Sequence, residues 1–262
     1  PKTPKPLLTD QFKLFEFNMA DEEDGPKYIF ITENQEEKSS SRNYNGKAVA
    51  KYPNGDVYDG QYINGIREGH GVYRYANGEK YEGEWLRNKK HGIGRMSYMK
   101  KIAGEDGDKS IADGEYNGFW ENGRRHGEGV FQYKNGDMYS GWWKHGEKEG
   151  TGSYVFKSTN MKLFGEWKAG NISTGRWVYP NGMYYEGTFK NNKPEGKGEW
   201  VFKNGNKLDG NYSQKEKELT EEEQAEVEAK KEAGESVPKQ YTINWQSNSN
   251  IMESASKVNS VE

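Results

Sequence analysis

Along the middle of the chain, aromatic and small residues alternate with polar ones. In Tyr81-Glu-Gly83-Glu-Trp85 the first, third and fifth positions are Tyr, Gly and Trp, and acids stand between them. A period of two is the signature of a strand with one apolar face. A second alternating run follows in most copies. Gly71-Val-Tyr73-Arg-Tyr75, Gly129-Val-Phe131-Gln-Tyr133 and Gly198-Glu-Trp200-Val-Phe202 each place a small residue and two aromatics on one face. The dipeptides Asn77-Gly78, Asn135-Gly136, Asn181-Gly182 and Asn204-Gly205 predict type I′ turns, in which both central residues take φ > 0. Each such unit reads as a β-hairpin. The glycine between aromatics lets a neighbouring ring lie flat on the backbone.

The hairpin repeats. Units start at Tyr58, Tyr81, Tyr116, Tyr139, Leu163 and Tyr185, and a further start falls at Leu208. The spacings are 23, 35, 23, 24, 22 and 23 residues. The long one contains an insertion at 101–115, and unit 163–184 lacks one loop residue. Six units are complete over 58–207, within an array spanning 44–212 whose ends are half-units. A regular period sets the architecture. The expected fold is all-β: an elongated, single-layer, twisted antiparallel sheet of stacked hairpins with irregular or partly helical acidic ends. Twelve strands at about 4.8 Å give a ribbon about 60 Å long.

Composition sharpens this picture. Hydrophobic residues make up only 31% of the chain but aromatics 14%, so Tyr, Phe and Trp must supply most of the core. The rings are expected to pack mainly on one another, with their outer edges open to a ligand peptide. The partner-contacting row expected on that face is Trp85, Trp120, Trp143, Trp167 and Phe189. The net charge of −3 hides an asymmetry: −3 over 1–43, +5 over 44–212 and −5 over 213–262. Either the strand faces are simply solvated, or a basic face meets an acidic partner. Lys89, Lys90, Arg124 and Arg125 occupy matching loop positions and are the candidate basic row.

Outside the array, 1–43 reads as an arm that packs on the first repeat or on a partner. Within it, 11–19 alternates and Tyr28-Ile-Phe-Ile-Thr32 has strand composition. The stretch 213–236 is an acidic linker or solvated helix. In 237–262 aromatic character returns, and Tyr241, Ile243 and Trp245 mark a docking tail, followed by a disordered end from 247.

Chemistry is not indicated. There is no Cys, which excludes disulfides and thiolate metal sites and fits a reducing compartment. His70, His91, His126 and His145 belong to loop positions and lack ligand spacing. Glu105-Asp-Gly-Asp108 suggests a calcium loop, but the later positions carry Ile111 and Asn117 instead of Gly and Glu. No phosphate or dinucleotide loop stands apart from the repeat. Neither catalytic residues nor a cofactor is expected, and overall acidity argues against nucleic acid. No apolar run is long enough to span a bilayer and no signal pattern is visible. Because the chain opens on Pro1, an upstream targeting segment stays open.

The pattern Tyr-x-Gly-x-Trp, Gly-x-Gly, aromatic pair and Asn-Gly resembles the MORN repeat family. His-Gly-x-Gly is intact at 91–94 and 126–129, becomes Glu-Gly-x-Gly at 68–71, 149–152 and 195–198, and is lost near Ser173. Within that family the chain is similar to the radial spoke head branch of motile cilia. The matching stretches are Tyr52-Pro-Asn-Gly-Asp-Val-Tyr-Asp-Gly60, Leu86-Arg-Asn-Lys-Lys-His-Gly-Ile-Gly94, the Glu-rich stretch after the array, and Val237-Pro-Lys239 with Trp245. The insertion and the acidic arm depart from that branch. The resemblance implies a non-catalytic axonemal component, with a cytoplasmic pool before assembly. Its partners would be other radial spoke head subunits, at a tip facing the central apparatus and acting toward the dynein arms. The rival expectation is a peripheral membrane protein that meets anionic phospholipid through the basic loop row.

Overall fold

A computed structural model describes residues 27–102, 109–232, 237 and 239–248. The expectations for 11–19, 105–108 and 249–262 lie outside these residues. Strands β1 (Ile29–Thr32), β2 (Glu37–Lys38) and β3 (Gly46–Lys51) open the chain. Six hairpins follow: β4 (Val57–Ile63) with β5 (Ile66–Arg74), β6 (Lys80–Leu86) with β7 (Lys89–Ile102), and β8 (Lys109–Glu121) with β9 (Arg124–Tyr133). Next come β10 (Met138–Lys144) with β11 (Glu147–Val155), β12 (Lys162–Lys168) with β13 (Asn171–Val178), and β14 (Tyr184–Lys190) with β15 (Lys193–Val201). After β16 (Lys207–Glu216) stand helix α1 (Glu221–Glu232) and β17 (Tyr241–Ser247).

From β3 to β17 each strand pairs antiparallel with the next in chain order. Strand β1 lies between β3 and β2. The result is one open, single-layer, 17-stranded antiparallel sheet, as the alternation predicts. Strands β3 and β16 are the half-units of the array. The insertion lengthens β7 and β8, which stay paired out to Ile102 and Lys109. Helix α1 carries a reciprocal cap: the Glu223 N–H donates to Thr220 Oγ1 at 3.3 Å and the Thr220 N–H to Glu223 Oε2 at 3.1 Å. None of its residues is buried.

The turns correct the sequence expectation. At Asn77-Gly78, Asn135-Gly136, Asn181-Gly182 and Asn204-Gly205 only the glycine is left-handed, with φ between 83° and 91°. The Gly78 N–H donates to Tyr75 O and the Tyr75 N–H to Glu79 O, both at 2.9 Å, which closes a three-residue loop ending in an αL glycine. These turns join one unit to the next. The two-residue turns with both φ positive lie inside each unit, at Asn64-Gly65, Arg87-Asn88, Asn122-Gly123, His145-Gly146, Ala169-Gly170 and Asn191-Asn192.

Every hairpin is bulged just past its paired glycines. Gly60 faces Gly71 and Tyr62 faces Arg67, so three residues of β5 oppose one of β4. The left-handed Gly69, Gly92, Gly127, Gly150 and Gly196 sit in these bulges. In β13 a single extra residue remains, because Glu166 faces Thr174 and Trp167 faces Ile172. The residue missing from unit 163–184 is therefore a bulge residue, and the lost glycine near Ser173 goes with it.

Candidate functional site

The first tyrosine of a unit lies over the glycine pair of its own hairpin. Tyr81 covers Gly83 and Gly94, and its hydroxyl donates to Glu84 O at 2.9 Å. Tyr58, Tyr116 and Tyr139 repeat the bond to the carbonyl three residues on, at 2.9–3.1 Å. Each tyrosine meets two rings edge-on. Tyr116 stands 5.2 Å from Trp120 and 5.3 Å from Trp143, at 88° and 82°. Tyr139 stands 5.2 Å from Trp143 and 5.1 Å from Trp167. Tyrosine and tryptophan thus alternate across unit boundaries, an edge-to-face geometry worth about 1 kcal/mol per pair beyond burial. Each indole also donates back to the previous unit: Trp85 to Gly71 O, Trp120 to Gly94 O, Trp143 to Gly129 O and Trp167 to Gly152 O, at 3.0–3.2 Å.

A single layer closes this spine because cations cover it. Arg67, Lys90, Arg125 and Lys148 lie over Trp85, Trp120, Trp143 and Trp167 at 4.6, 4.5, 4.4 and 4.5 Å from ring centre. The indole face attracts the charge while the aliphatic stem covers the ring. Where the next ring is Phe189 or Tyr212 the corresponding residues are Ile172 and Pro194, both fully buried. Burial pushes the Lys148 ammonium down to about 8, with the Arg125 charge adding to the shift. Burial also lowers Lys90, against the pull of Glu79.

The expected partner row is therefore core. Trp85, Trp120, Trp143 and Trp167 are 4–5% exposed and Phe189 8%, which leaves no open ring edge for a ligand peptide. The basic row divides in two. Lys90 and Arg125 are half-buried over rings, whereas Lys89 and Arg124 are exposed. Arg67 and Lys148, absent from the expected row, complete the cation series. The described part of the tail packs on the array. Tyr241, Ile243 and Trp245 lie on β17, where Trp245 pairs with Tyr212 in register and packs 4.9 Å from its ring. Trp245 lies over Gly210, as the tyrosines lie over theirs. Among the described residues no group of three or more His, Asp or Glu is placed to hold a metal.

Two carboxylates join successive inter-unit turns. Asp137 accepts from the Lys157 N–H and the Tyr154 hydroxyl, both at 2.8 Å, and from the Asn135 amide at 2.9 Å. Asp56 does the same with the Ala76 N–H, Tyr73 and Asn54. Burial raises each carboxyl, but these three hydrogen bonds outweigh it and hold both below the usual range. A depressed folded value stabilises above the unfolded pKa of about 3.9, and the gain is lost as pH falls through the folded value. Asp137→Ala is expected to lower stability by about 2 kcal/mol at pH 7. Thermal unfolding of Asp56→Asn/Asp137→Asn should show a flatter acid dependence than the native chain below roughly pH 5.

The opposite face of the sheet carries the positions between Tyr, Gly and Trp. Ile93, Phe119, Trp142 and Phe164 stand open there, at 47–55% exposure. With Val130 they line a shallow groove across β7 to β12.

The MORN repeat family model matches residues 58–80, 81–100, 116–138, 139–161 and 185–207. The unmatched unit 163–184 is the one with Leu163 in place of tyrosine and the shortened bulge. No curated protein matches the chain. Among solved structures, the chain is similar to the TCP domain of SAS-4 (dCPAP) of Drosophila melanogaster, in complex with a proline-rich motif of Ana2 (dSTIL). The likeness is 17% identity over 63% of this chain and 83% of that one, with a TM-score of 0.37, too slight to carry an argument.

Proposed function

From a chain whose hairpins carry MORN repeats, we propose a non-catalytic structural scaffold, and specifically a radial spoke head subunit of the motile ciliary axoneme. The observation that carries the scaffold reading is the closed spine. Rows of rings, capped by cations over the four tryptophans and by Ile172 and Pro194 beyond them, interlock the units, so the chain is spent on holding a long sheet rigid. Such a sheet presents two faces and two strand edges to partners, and stiffness along its length suits a part that passes mechanical contact. The spoke-head reading is finer and draws on similarity in Tyr52-Pro-Asn-Gly-Asp-Val-Tyr-Asp-Gly60, Leu86-Arg-Asn-Lys-Lys-His-Gly-Ile-Gly94 and Val237-Pro-Lys239 with Trp245. In it the chain joins other spoke-head subunits and helps pass contact from the central apparatus to the dynein arms. A membrane role is less favoured, since Lys90 and Arg125 are engaged over Trp120 and Trp143 and only Lys89 and Arg124 are exposed.

The test is detergent extraction of ciliated cells that express a tagged chain. Retention on axonemes, with spoke-head proteins recovered on pull-down, is the expected result. Release with lipid, or absence from cilia, overturns the spoke-head reading and turns attention to liposome binding through Lys89 and Arg124.

A further inference from the structure

The face behind the spine is not uniform. Following paired residues across it gives the row Glu82, Arg95, Asn117, Val130, Ser140, Ser153, Phe164, Arg176, Glu186. The row is neutral from Asn117 to Phe164. Both its ends are closed by ion pairs, Arg95 with Glu115 at 2.7 Å and Arg176 with Glu186 at 3.0 Å. Beside it runs a second row. Ile93 faces Phe119, Trp142 faces Glu128, and Thr151 faces Glu166. Phe119, Trp142 and Phe164 occupy positions where unit 81–100 carries acids. Exposed apolar side chains also occur singly near the turns, at Ile63, Ile66 and Leu86, but a stretch that continues across neighbouring strands in the middle of a repeat array marks a contact site.

Arg176 stands opposite Phe164 and Arg95 beside Asn117, but both are held in those ion pairs, and the charges along the groove that have none are of one sign. Glu128 is the one ionisable residue lining the groove. Glu84 lies over Gly92 next to Ile93, and Glu166 accepts from the Thr151 hydroxyl at 2.8 Å at the far end. None of these three carboxylates forms an ion pair among the described residues, although most other acids of the face do.

We propose that this groove binds an extended segment of a partner protein whose apolar side chains are bracketed by lysine or arginine. The apolar anchors would seat between Ile93, Phe119, Trp142 and Phe164, with the basic residues against Glu84, Glu128 and Glu166. Six strands span about 24 Å, the length of about seven extended residues. This deepens the scaffold reading and rests on it only in naming one of the surfaces that such a scaffold offers.

The test pans a random dodecapeptide phage library on the intact chain. The selected consensus is then measured by fluorescence anisotropy as a labelled peptide. We expect two or three apolar residues flanked by Lys or Arg, at least tenfold weaker binding by Trp142→Ser/Phe164→Ser, and about threefold weaker binding with reduced salt dependence by Glu128→Gln. All these side chains are exposed, so circular dichroism and unfolding of the variants should match the native chain. Failure to select a binder, a consensus without basic residues, or affinity unchanged in the patch variants overturns the proposal. So does self-association in sedimentation that Trp142→Ser abolishes, which would assign the face to a second copy. Because the measurement uses purified protein, its failure with axonemal retention intact leaves the scaffold reading standing. Peptide binding by a chain absent from cilia would uphold the groove and overturn the spoke-head reading.

Discussion

Trp143→Ala should break the molecule's unfolding into two steps. Trp143 is the joint between the third and fourth hairpins: it meets Tyr116 and Tyr139 edge-on, donates to Gly129 O at 3.1 Å and carries Arg125 at 4.4 Å. Removing a buried indole costs about 3–5 kcal/mol. In a linear repeat each unit contacts only its neighbours, so stability is a sum of unit and interface terms. Losing one central interface uncouples the halves, which then unfold at different urea concentrations. The native chain should show one transition followed by both fluorescence and circular dichroism, and Trp143→Ala two. Trp143→Phe, the residue found at Phe189, should lose only the indole bond and part of the cation contact and keep one transition. A single transition in Trp143→Ala with full loss of amplitude would mean that coupling runs through the backbone ladder and not through the spine.

Much of the architecture was legible in the sequence because the sheet's two signals are local. Alternation in Tyr81-Glu-Gly83-Glu-Trp85 and the 23-residue spacing define strands and their order. Turn type was not legible from composition. Asn-Gly occurs both at 64–65, where both residues are left-handed, and at 77–78, where only the glycine is. The number of residues between paired strands decides between them, and that number follows from the register. Arg87-Asn88 and Asn191-Asn192 adopt the same strained turn with no glycine at all, so tertiary closure outweighs local preference there.

The spine was half legible. One row of rings per face follows from the alternation, but its closure depends on a side chain from the preceding unit. A signal existed: Arg67, Lys90, Arg125 and Lys148 each stand four residues before the second paired glycine, and Pro194 takes that place where the next ring is tyrosine. The groove on the other face was written at the very positions, Phe119, Trp142 and Phe164, where an apolar residue interrupts the acids of the repeat. The alternation that defines the repeat marks the opposite face, so these substitutions stand outside its signal.

Gly129→Ala should be among the most damaging of small substitutions, and the damage should be reparable from a distance. A Cβ at 129 would stand 2.5 Å from Tyr116 Cζ and 2.6 Å from Cε2, well inside van der Waals contact. The ring cannot yield freely, because its hydroxyl donates to Phe119 O at 2.9 Å and its edges are held by Trp120 and Trp143. Overpacking of this kind costs about 3 kcal/mol. At Gly118, across the strand pair, two of the three nearest atoms are backbone, Gly129 Cα at 2.5 Å and Glu128 O at 2.7 Å, which no side-chain change can move, and only the third, the Tyr116 hydroxyl at 2.7 Å, belongs to the ring. The two glycines should therefore respond differently to Tyr116→Leu, the change already present at Leu163. Tyr116→Leu alone loses the ring contacts. Combined with Gly129→Ala it should cost clearly less than the sum of the two, because the ring that the methyl group strikes is gone. Combined with Gly118→Ala the costs should come much closer to adding, because the two backbone contacts stay. Urea unfolding of both cycles measures the coupling. Equal additivity in the two cycles would show that the paired glycines serve strand approach alone, and that the tyrosine over them is a passenger.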